Sequence, residues 1–384
     1  MGDLRSRWLC KRIDQLMNKL RERRRHAWAS EPPQGEADEL RRISSPQASG
    51  VVRVVRRLVT WLAWSCAFGL LAVWLLLAFA TDRWWAATLL SYAPRWVWAG
   101  PPLAVGLLVG VVRPRLLWLP LLCLLLVVGP IMGFRVPWRA LLPGAAEGHS
   151  LRIISCNCGT GKLDIAALSE FIREAQADVV VLQECHSSLA LALAPPGWTV
   201  DNAWGLCVIS RYPFWQVDVL RRKPPDGWRD LCAHYRIQTP DGAVDLFNVH
   251  PRSARDALQT AITHSRKTPE YTEDNISRRR VESRIASQFT GGSTDSTIVA
   301  GDFNLSTNSA IFRRYWSGYQ DTFTIAGWGY GNTWFSSWHG VRIDHVLAGS
   351  DWRVERSWVG PHVGSDHRPL FAELKLKHSS TALE

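Results

Sequence analysis

Three uncharged apolar runs, Leu58 to Ala80, Trp96 to Val112 and Leu116 to Phe134, constrain this chain more than any other feature. A helix needs about 20 apolar residues to cross the hydrocarbon core of a bilayer, and the first and third runs meet that length. The middle run is shorter, and Pro101-Pro102 weakens its first turn. A buried core helix is the competing reading, and it fits the middle run best. Trp61, Trp84, Trp85, Trp96, Trp98, Trp118 and Trp138 lie near the ends of the runs, at the depth that amphipathic indoles favour. The expectation is an all-α transmembrane region with helices at about 58–80, 96–112 and 116–134.

The formal charge of +11 suggests nucleic-acid binding until it is divided along the chain. Residues 1–57 hold 14 Lys/Arg and 7 Asp/Glu, residues 58–150 hold 6 and 2, and residues 151–384 hold 25 of each sign. The basic character belongs to the N-terminal third, so a charge argument for nucleic acid fails beyond residue 150. Arg53, Arg56 and Arg57 precede the first run, and Arg113 and Arg115 separate the second from the third. The positive-inside rule places both sets in the cytoplasm and the C-terminal part on the opposite side, against a smaller count from Arg83, Arg95, Arg135 and Arg139. The expected location is therefore a multi-pass cell-membrane protein with a cytoplasmic N-terminus. The 57-residue polar leader is too long for a signal-peptide n-region, so cleavage is not expected. Within it, Leu9, Ile13, Leu16 and Leu20 have helical spacing with basic residues between them. That pattern fits an amphipathic helix on an anionic leaflet, or equally a solvated helix or tail. Residues 30–50 read as a linker, and so do residues 135–150, with Pro143-Gly144.

From residue 151 the patterning changes to short β-branched strands. Strands are predicted at 151–157, 178–184, 205–210, 215–220, 231–238, 244–250, 297–301, 342–347, 353–359 and 370–376, with helices at 163–175, 275–289 and 307–316. Many strands with few helices point to an α/β fold of two sheets packed face to face with helices outside, over residues 151–378.

Six polar motifs sit at the ends of these strands: Asn157, Gln183-Glu184, His250, Gly301-Asp302-Phe303-Asn304, Asp344-His345 and Ser365-Asp366-His367. Carboxylate, amide and imidazole groups at strand ends can converge on one metal and one phosphate, which suggests a metal-dependent phosphoesterase. Asp302 and Asn304 alternate along one extended segment and so point the same way. Each group alone reads more blandly as a solvated loop carboxylate or a hydrogen-bonded strand-end histidine. The ordered set resembles the endonuclease/exonuclease/phosphatase superfamily of DNase I-like nucleases, sphingomyelinases and inositol polyphosphate phosphatases, over about residues 150–378. The resemblance implies a four-layer α/β sandwich of two packed mixed β-sheets flanked by helices. It also implies Mg²⁺ or Mn²⁺, with Glu184 as the direct ligand and Asn157 and Asp366 as further metal-site groups. Asn157, Asn304 and His367 would contact the phosphate. Asp302 would orient or deprotonate water or assist the leaving oxygen, Asp344 would orient His367, and His250 would contact phosphate or protonate the leaving group. His345 is expected to point away from the Asp344 face. Ser210-Arg211-Tyr212-Pro213 reads as a structural turn, and Asp321 carries no assigned role.

The segment 250–292 is rich in arginine, including Arg252, Arg255, Arg278, Arg279, Arg280 and Arg284. It reads either as a solvated helix face or as a phosphate-recognition element, with Arg278, Arg279 and Arg280 on substrate. A membrane tether raises the effective concentration of bilayer substrates, which favours a lipid-linked phosphate or pyrophosphate. Membrane-anchored superfamily members acting on polyprenyl pyrophosphates resemble this layout. The alternatives are an extracytoplasmic nuclease acting on DNA or RNA, and a catalytically silent tethered binding domain of the same fold. No protein partner is inferred. Five cysteines beyond residue 150 (Cys156, Cys158, Cys185, Cys207, Cys232) are expected mainly as buried thiols, and no Cys/His spacing suggests zinc. A reporter fused after Glu384 is expected to be active outside the cytoplasm, and one fused before Arg53 inside; two cytoplasmic readouts would mean that the middle run does not cross.

Overall fold

The computed structural model describes residues 46–137, 149–159, 162–222, 230–263, 265–291, 296–336 and 338–377. The amphipathic pattern at Leu9 to Leu20, and most of both expected linkers, lie outside the described residues. Helix α1, Pro46–Phe79, starts within the expected first linker. A short α2, Trp85–Tyr92, leads through a 3₁₀ turn to α3, Gly100–Val112, and then α4, Trp118–Leu126. Pro101 and Pro102 fall in the first turn of α3, where an amide N–H has no helical acceptor, so they start the helix rather than weaken it. Helix α4 widens into π-type turns over Val127–Ile131, where Pro130 supplies no N–H. Three helical segments, Gly50–Phe79, Arg95–Val112 and Pro114–Ile131, are long and apolar enough to cross a membrane. They pack on one another through Ala63, Val105, Val109 and Leu119 near one end and Leu77, Cys123, Val127 and Ile131 near the other. Leu107, Val111 and Leu125 face outward.

The remainder contains the strands β1 (Ser150–Asn157), β2 (Val179–Gln183), β3 (Thr199–Ala203), β4 (Leu206–Ser210), β5 (Phe214–Arg221), β6 (Asp230–Thr239), β7 (Gly242–Val249), β8 (Ile298–Asp302), β9 (Gln320–Asp321), β10 (Trp334–Phe335), β11 (Gly340–Val341), β12 (Asp344–Ala348), β13 (Trp352–Val359) and β14 (Leu370–Leu376). One six-stranded sheet runs β13-β14-β1-β2-β4-β3 and the other β5-β6-β7-β8-β12-β9, while β10 and β11 form a separate pair. Both large sheets are mixed, since β1 and β2 are parallel, as are β7 and β8, and the remaining pairings are antiparallel.

Strand alternation sorts the side chains into layers. Ile153, Val179, Val181 and Val208 of one sheet meet Tyr235, Ile237, Leu246, Ile298 and Val346 of the other in the central core. The opposite face of the first sheet buries Ile154, Val180, Leu182 and Phe371 under helices α5 (Ile165–Glu174) and α6 (Ser187–Leu193). The second sheet's outer face packs Phe247, Val249 and Val299 against residues of α8 (Thr268–Thr290) and α9 (Ala310–Tyr315); α7 (Arg255–Thr263) lies before α8. The result is the expected four-layer sandwich. Strand β3 and helices α6 and α7, together with the short helix Thr322–Ala326, were not expected. Helix α8 starts earlier than predicted because Pro269 lies in its first turn.

The apolar helices are joined to the sandwich by polar contacts. Arg279 of α8 pairs with Asp82 at 2.7 Å, and each side chain is only 1% exposed. The same guanidinium donates to Tyr92 Oη and to the Asn304 carbonyl, both at 2.7 Å, and Tyr92 Oη donates to that carbonyl at 2.9 Å. Ala310 N–H donates to the Thr81 carbonyl, Trp85 N–H to Glu273, and Arg135 pairs by backbone with Gly329. This arrangement corrects the expectation for Arg279: its guanidinium is committed to Asp82, Tyr92 and Asn304 and is shut away from substrate. Arg280 donates to the Asp82 carbonyl, and Arg278 pairs with Asp274 on an exposed helix face, so neither lines the polar cluster described below. Breaking one side of a buried pair strands the other charge, so Asp82→Asn is expected to destabilise the full-length protein by about 3–5 kcal/mol. Thermal unfolding in detergent measures this, and an unchanged midpoint would exclude the pair as a structural anchor.

Candidate active site

The motifs converge because their strands end at the same edge of the sandwich. Asn157 closes β1 in register with Gln183 of the parallel β2, and Gly301 of β8 pairs with Val249, just before His250. Asp344 opens β12 directly opposite Asp302. Gly301 has φ +150°, and a Cβ there would lie 2.0 Å from the Val249 carbonyl oxygen, so only glycine allows β7 and β8 to approach this closely ahead of Asp302. The next residue, Phe303, turns into the outer core against Trp316 at 4.9 Å, which leaves Asp302 and Asn304 on the opposite side. Glu184 and Asn304 both hold left-handed backbone, φ +52° and +54°, an uncommon state for residues with side chains that costs on the order of 1 kcal/mol each.

Asp302 is the hub. Its Oδ2 accepts from Asn157 Nδ2 at 3.0 Å and lies 3.7 Å from His250 Nε2 and 3.8 Å from His367 Nε2, while its Oδ1 accepts from the Asn304 backbone N–H at 2.9 Å. The Asn157 amide also donates to Glu184 Oε1 at 3.3 Å, and that oxygen lies 3.8 Å from His250 Nε2. His367 Nδ1 lies 2.9 and 3.1 Å from the two oxygens of Asp344, whose backbone N–H donates to the Thr333 hydroxyl at 3.1 Å. The Ser365 hydroxyl donates to the Asn157 carbonyl and accepts from His367 N–H, locking the last motif onto the first strand. Asn304 donates its side-chain amide to the Pro251 carbonyl, so the fork it presents is already engaged. The five side chains Asn157, Asp302, Asn304, Asp344 and His367 are buried, and Glu184 and His250 are partly open to a cavity of 360 Å³.

Not every expected residue joins this group. Asp366 is corrected to a rim position: its Oδ2 accepts from Arg255 at 2.8 Å and from Trp334 Nε1 at 3.1 Å, and its side chain is 39% exposed. Gln183 faces the space between the sheets, where its amide donates to Asn248. His345 points away, as expected, and sits 3.3 Å from Asp321, which is also held by Arg342. Burial works against ionisation of Asp321, but Arg342 and His345 pull its pKa below the usual carboxylate range. Asp321 is therefore an internal brace. Cys156, Cys158, Cys185 and Cys207 are free thiols in the core beneath the first sheet, and Cys232 is a free thiol in the core beneath the second.

Several cavity residues have no local signature in the sequence. Tyr92 comes from α2, far ahead of the sandwich, and Ala254, Leu258, Ile262, Trp334 and Ile343 supply an apolar wall. Arg255 reaches the same cavity and is the one member of the arginine-rich segment that lines it beside the carboxylates.

The charge arrangement bears on a metal. Burial, and next the neighbouring Asp344 carboxylate, push Asp302 up to about 7. Burial opposes the charge on His367, yet Asp344 and Asp302 raise it to about 9. Two buried carboxylates beside Glu184 strain against one another, and an oxygen-rich donor set of this kind fits a hard divalent cation. Asp302, Asp344 and His367 also bring ligand atoms within 4.8 Å of one another, although the Nδ1 of His367 is already directed at Asp344. Without metal, His367 retains a proton that an unfolded chain would lose near 6.5. That stabilisation is complete below about 6.5 and is lost as pH rises through about 9, and Asp302 acts with the same sign from 3.8 through about 7. Stability of the metal-free protein is expected to fall by on the order of 3 kcal/mol between pH 6.5 and 9, and Asp344→Asn to flatten that slope. Thermal melts in chelator across this range measure it, and a flat wild-type profile would refute the assignment.

No curated protein sequence matches the chain. Among solved structures, it is similar to an endonuclease/exonuclease/phosphatase from Beutenbergia cavernae DSM 12333, with 18% identity, 61% of this chain and 74% of that one covered, and a TM-score of 0.46. It is also similar to the mannosyl-6-phosphatase of Bacteroides thetaiotaomicron VPI-5482, with 18% identity, 59% and 100% covered, and a TM-score of 0.44. A humanized D. rerio TDP2 gives 16% identity, 59% and 99% covered, and a TM-score of 0.45. Residues 154–367, more than half of the chain, match the Endonuclease/Exonuclease/phosphatase family, and the chain belongs to that family.

Proposed function

We propose that this protein is a membrane-anchored, metal-dependent phosphoesterase that hydrolyses a lipid-linked phosphate ester or pyrophosphate on the extracytoplasmic side. The observation that carries the lipid assignment is the cavity itself. Its floor is polar, with Glu184, His250, Asp302 and His367, while Leu258, Ile262, Trp334 and Ile343 make one wall apolar and Tyr92 comes from the segment between the first two apolar helices. A substrate with a phosphate and a hydrocarbon tail matches both surfaces. The even charge balance beyond residue 150 gives less support to a nuclease, whose substrate presents a long run of phosphates.

In this reading Glu184 and Asn157 would hold Mg²⁺ or Mn²⁺, which when bound would draw charge from the phosphoryl oxygens. Asp302 takes the proton of the attacking water, a task suited to a carboxylate raised to about 7. His367, kept protonated and oriented by Asp344, donates to a phosphoryl oxygen as negative charge builds there. His250, across the cluster, donates a proton to the leaving oxygen. Asn304, fixed by Asp302 and Pro251, holds the floor in register.

A phosphate-release screen on the full-length protein in detergent, with Mg²⁺ or EDTA, tests the proposal using polyprenyl pyrophosphate, phospholipids and plasmid DNA. Release from a lipid substrate is expected only with metal, and Glu184→Gln is expected to lower kcat at least 100-fold without changing the thermal midpoint. Plasmid nicking with no phosphate released from any lipid would promote the nuclease reading, and full turnover in EDTA would remove the metal.

A further inference from the structure

A second polar cavity is lined in part by Arg83 and Arg280, the chain neighbours of the buried Asp82–Arg279 pair. Arg83, Arg280, Arg313 and Arg314 line an open space of 510 Å³, floored by Ala310 and Ile311. These arginines come from three separate elements: the turn after α1, helix α8 and helix α9. Among the described residues no ion pair joins any of the four to a carboxylate, and Asp82, next to Arg83, pairs with Arg279. Arg280 donates to the Asp82 backbone carbonyl and Arg313 to that of Asn308, so two of the guanidinium groups are held in place from behind. Burial, and next Arg83, lower the pKa of Arg313, against a smaller opposing pull from Asp82.

The position of this space is as telling as its charge. Arg83 follows the apolar helix Gly50–Phe79 by four residues, and the Ala310–Thr81 hydrogen bond ties α9 to the same point. Exposed Trp84 stands beside it, a residue type that settles at the headgroup level. Guanidinium groups bind phosphate through paired donors, and four of them crowded without a counter-ion call for an anion. We infer that Arg83, Arg280, Arg313 and Arg314 form a non-catalytic site for the phosphate of an anionic phospholipid headgroup at the end of the first apolar helix. This inference rests on the membrane-spanning part of the functional reading and is independent of the reaction.

The test measures binding, not turnover, on full-length protein carrying Glu184→Gln in nonionic detergent. Dioctanoyl phosphatidylglycerol, dioctanoyl phosphatidylcholine and inorganic phosphate are titrated calorimetrically. The glycerol lipid is expected to bind at least tenfold more tightly than the choline lipid, and Arg83→Ala with Arg314→Ala to weaken it about tenfold. The paired Lys substitutions, which keep the charge but not the paired donors, are expected to fall between wild type and the double Ala variant. Both positions are exposed, so the fold is not at stake, and phosphate release by the same substitutions in the otherwise wild-type chain is read separately. Equal binding of the two lipids, or wild-type affinity in the double Ala variant, would overturn the site. Inorganic phosphate binding as tightly as the glycerol lipid would overturn the lipid assignment in favour of a free-phosphate site.

Discussion

The Arg279 guanidinium is the joint on which the two halves of this molecule meet. It pairs with Asp82, supports the Tyr92 hydroxyl and donates to the carbonyl of Asn304, all without contact with solvent. Burying a guanidinium and a carboxylate carries a desolvation cost that their hydrogen bonds must offset, and here only Asp82 Oδ2 and Arg279 Nε of the pair are left without a hydrogen-bond partner. Here the partners come from the segment after the first apolar helix, from α8 and from the loop after β8. The order of the site floor and the docking of the apolar helices are therefore one structural event, not two.

The same economy of position shapes the reactive cluster. Glycine at 301 lets two parallel strands close together, and the alternation of Asp302, Phe303 and Asn304 sends the aromatic ring into the outer core while the polar groups face inward. Left-handed backbone at Glu184 and Asn304 turns the first side chain toward the cavity and the second into its floor, instead of along the strand direction. The sandwich supplies rigidity, and the local departures from regular strand geometry supply aim.

Much of this was legible in the sequence because strand ends carry their own punctuation. Asn157, Glu184, His250 and Asp302 each terminate or follow an apolar run, His367 shortly precedes one, and period-two alternation sets the facing of Asn157 and Asp302 within their strands. Asp366 was misjudged because adjacency to His367 says nothing about the direction of a loop carboxylate, and Arg255 and Trp334 claim it. Arg279 was misjudged for a related reason: a run of three arginines on a helix points in three directions, and one turned to an aspartate nearly two hundred residues earlier. Tyr92 carried no signal, since its role depends on a tertiary contact between segments of different character.

The docking also has a metric consequence. If the three apolar helices cross a bilayer, Tyr92 and Arg279 set the elevation of Asn304, and with it the catalytic floor, relative to the lipid surface. The molecule then works as a fixed-height gauge: a phosphate presented at the matching distance from the membrane reaches the cluster, and one held closer or farther is passed over, whatever its chemistry.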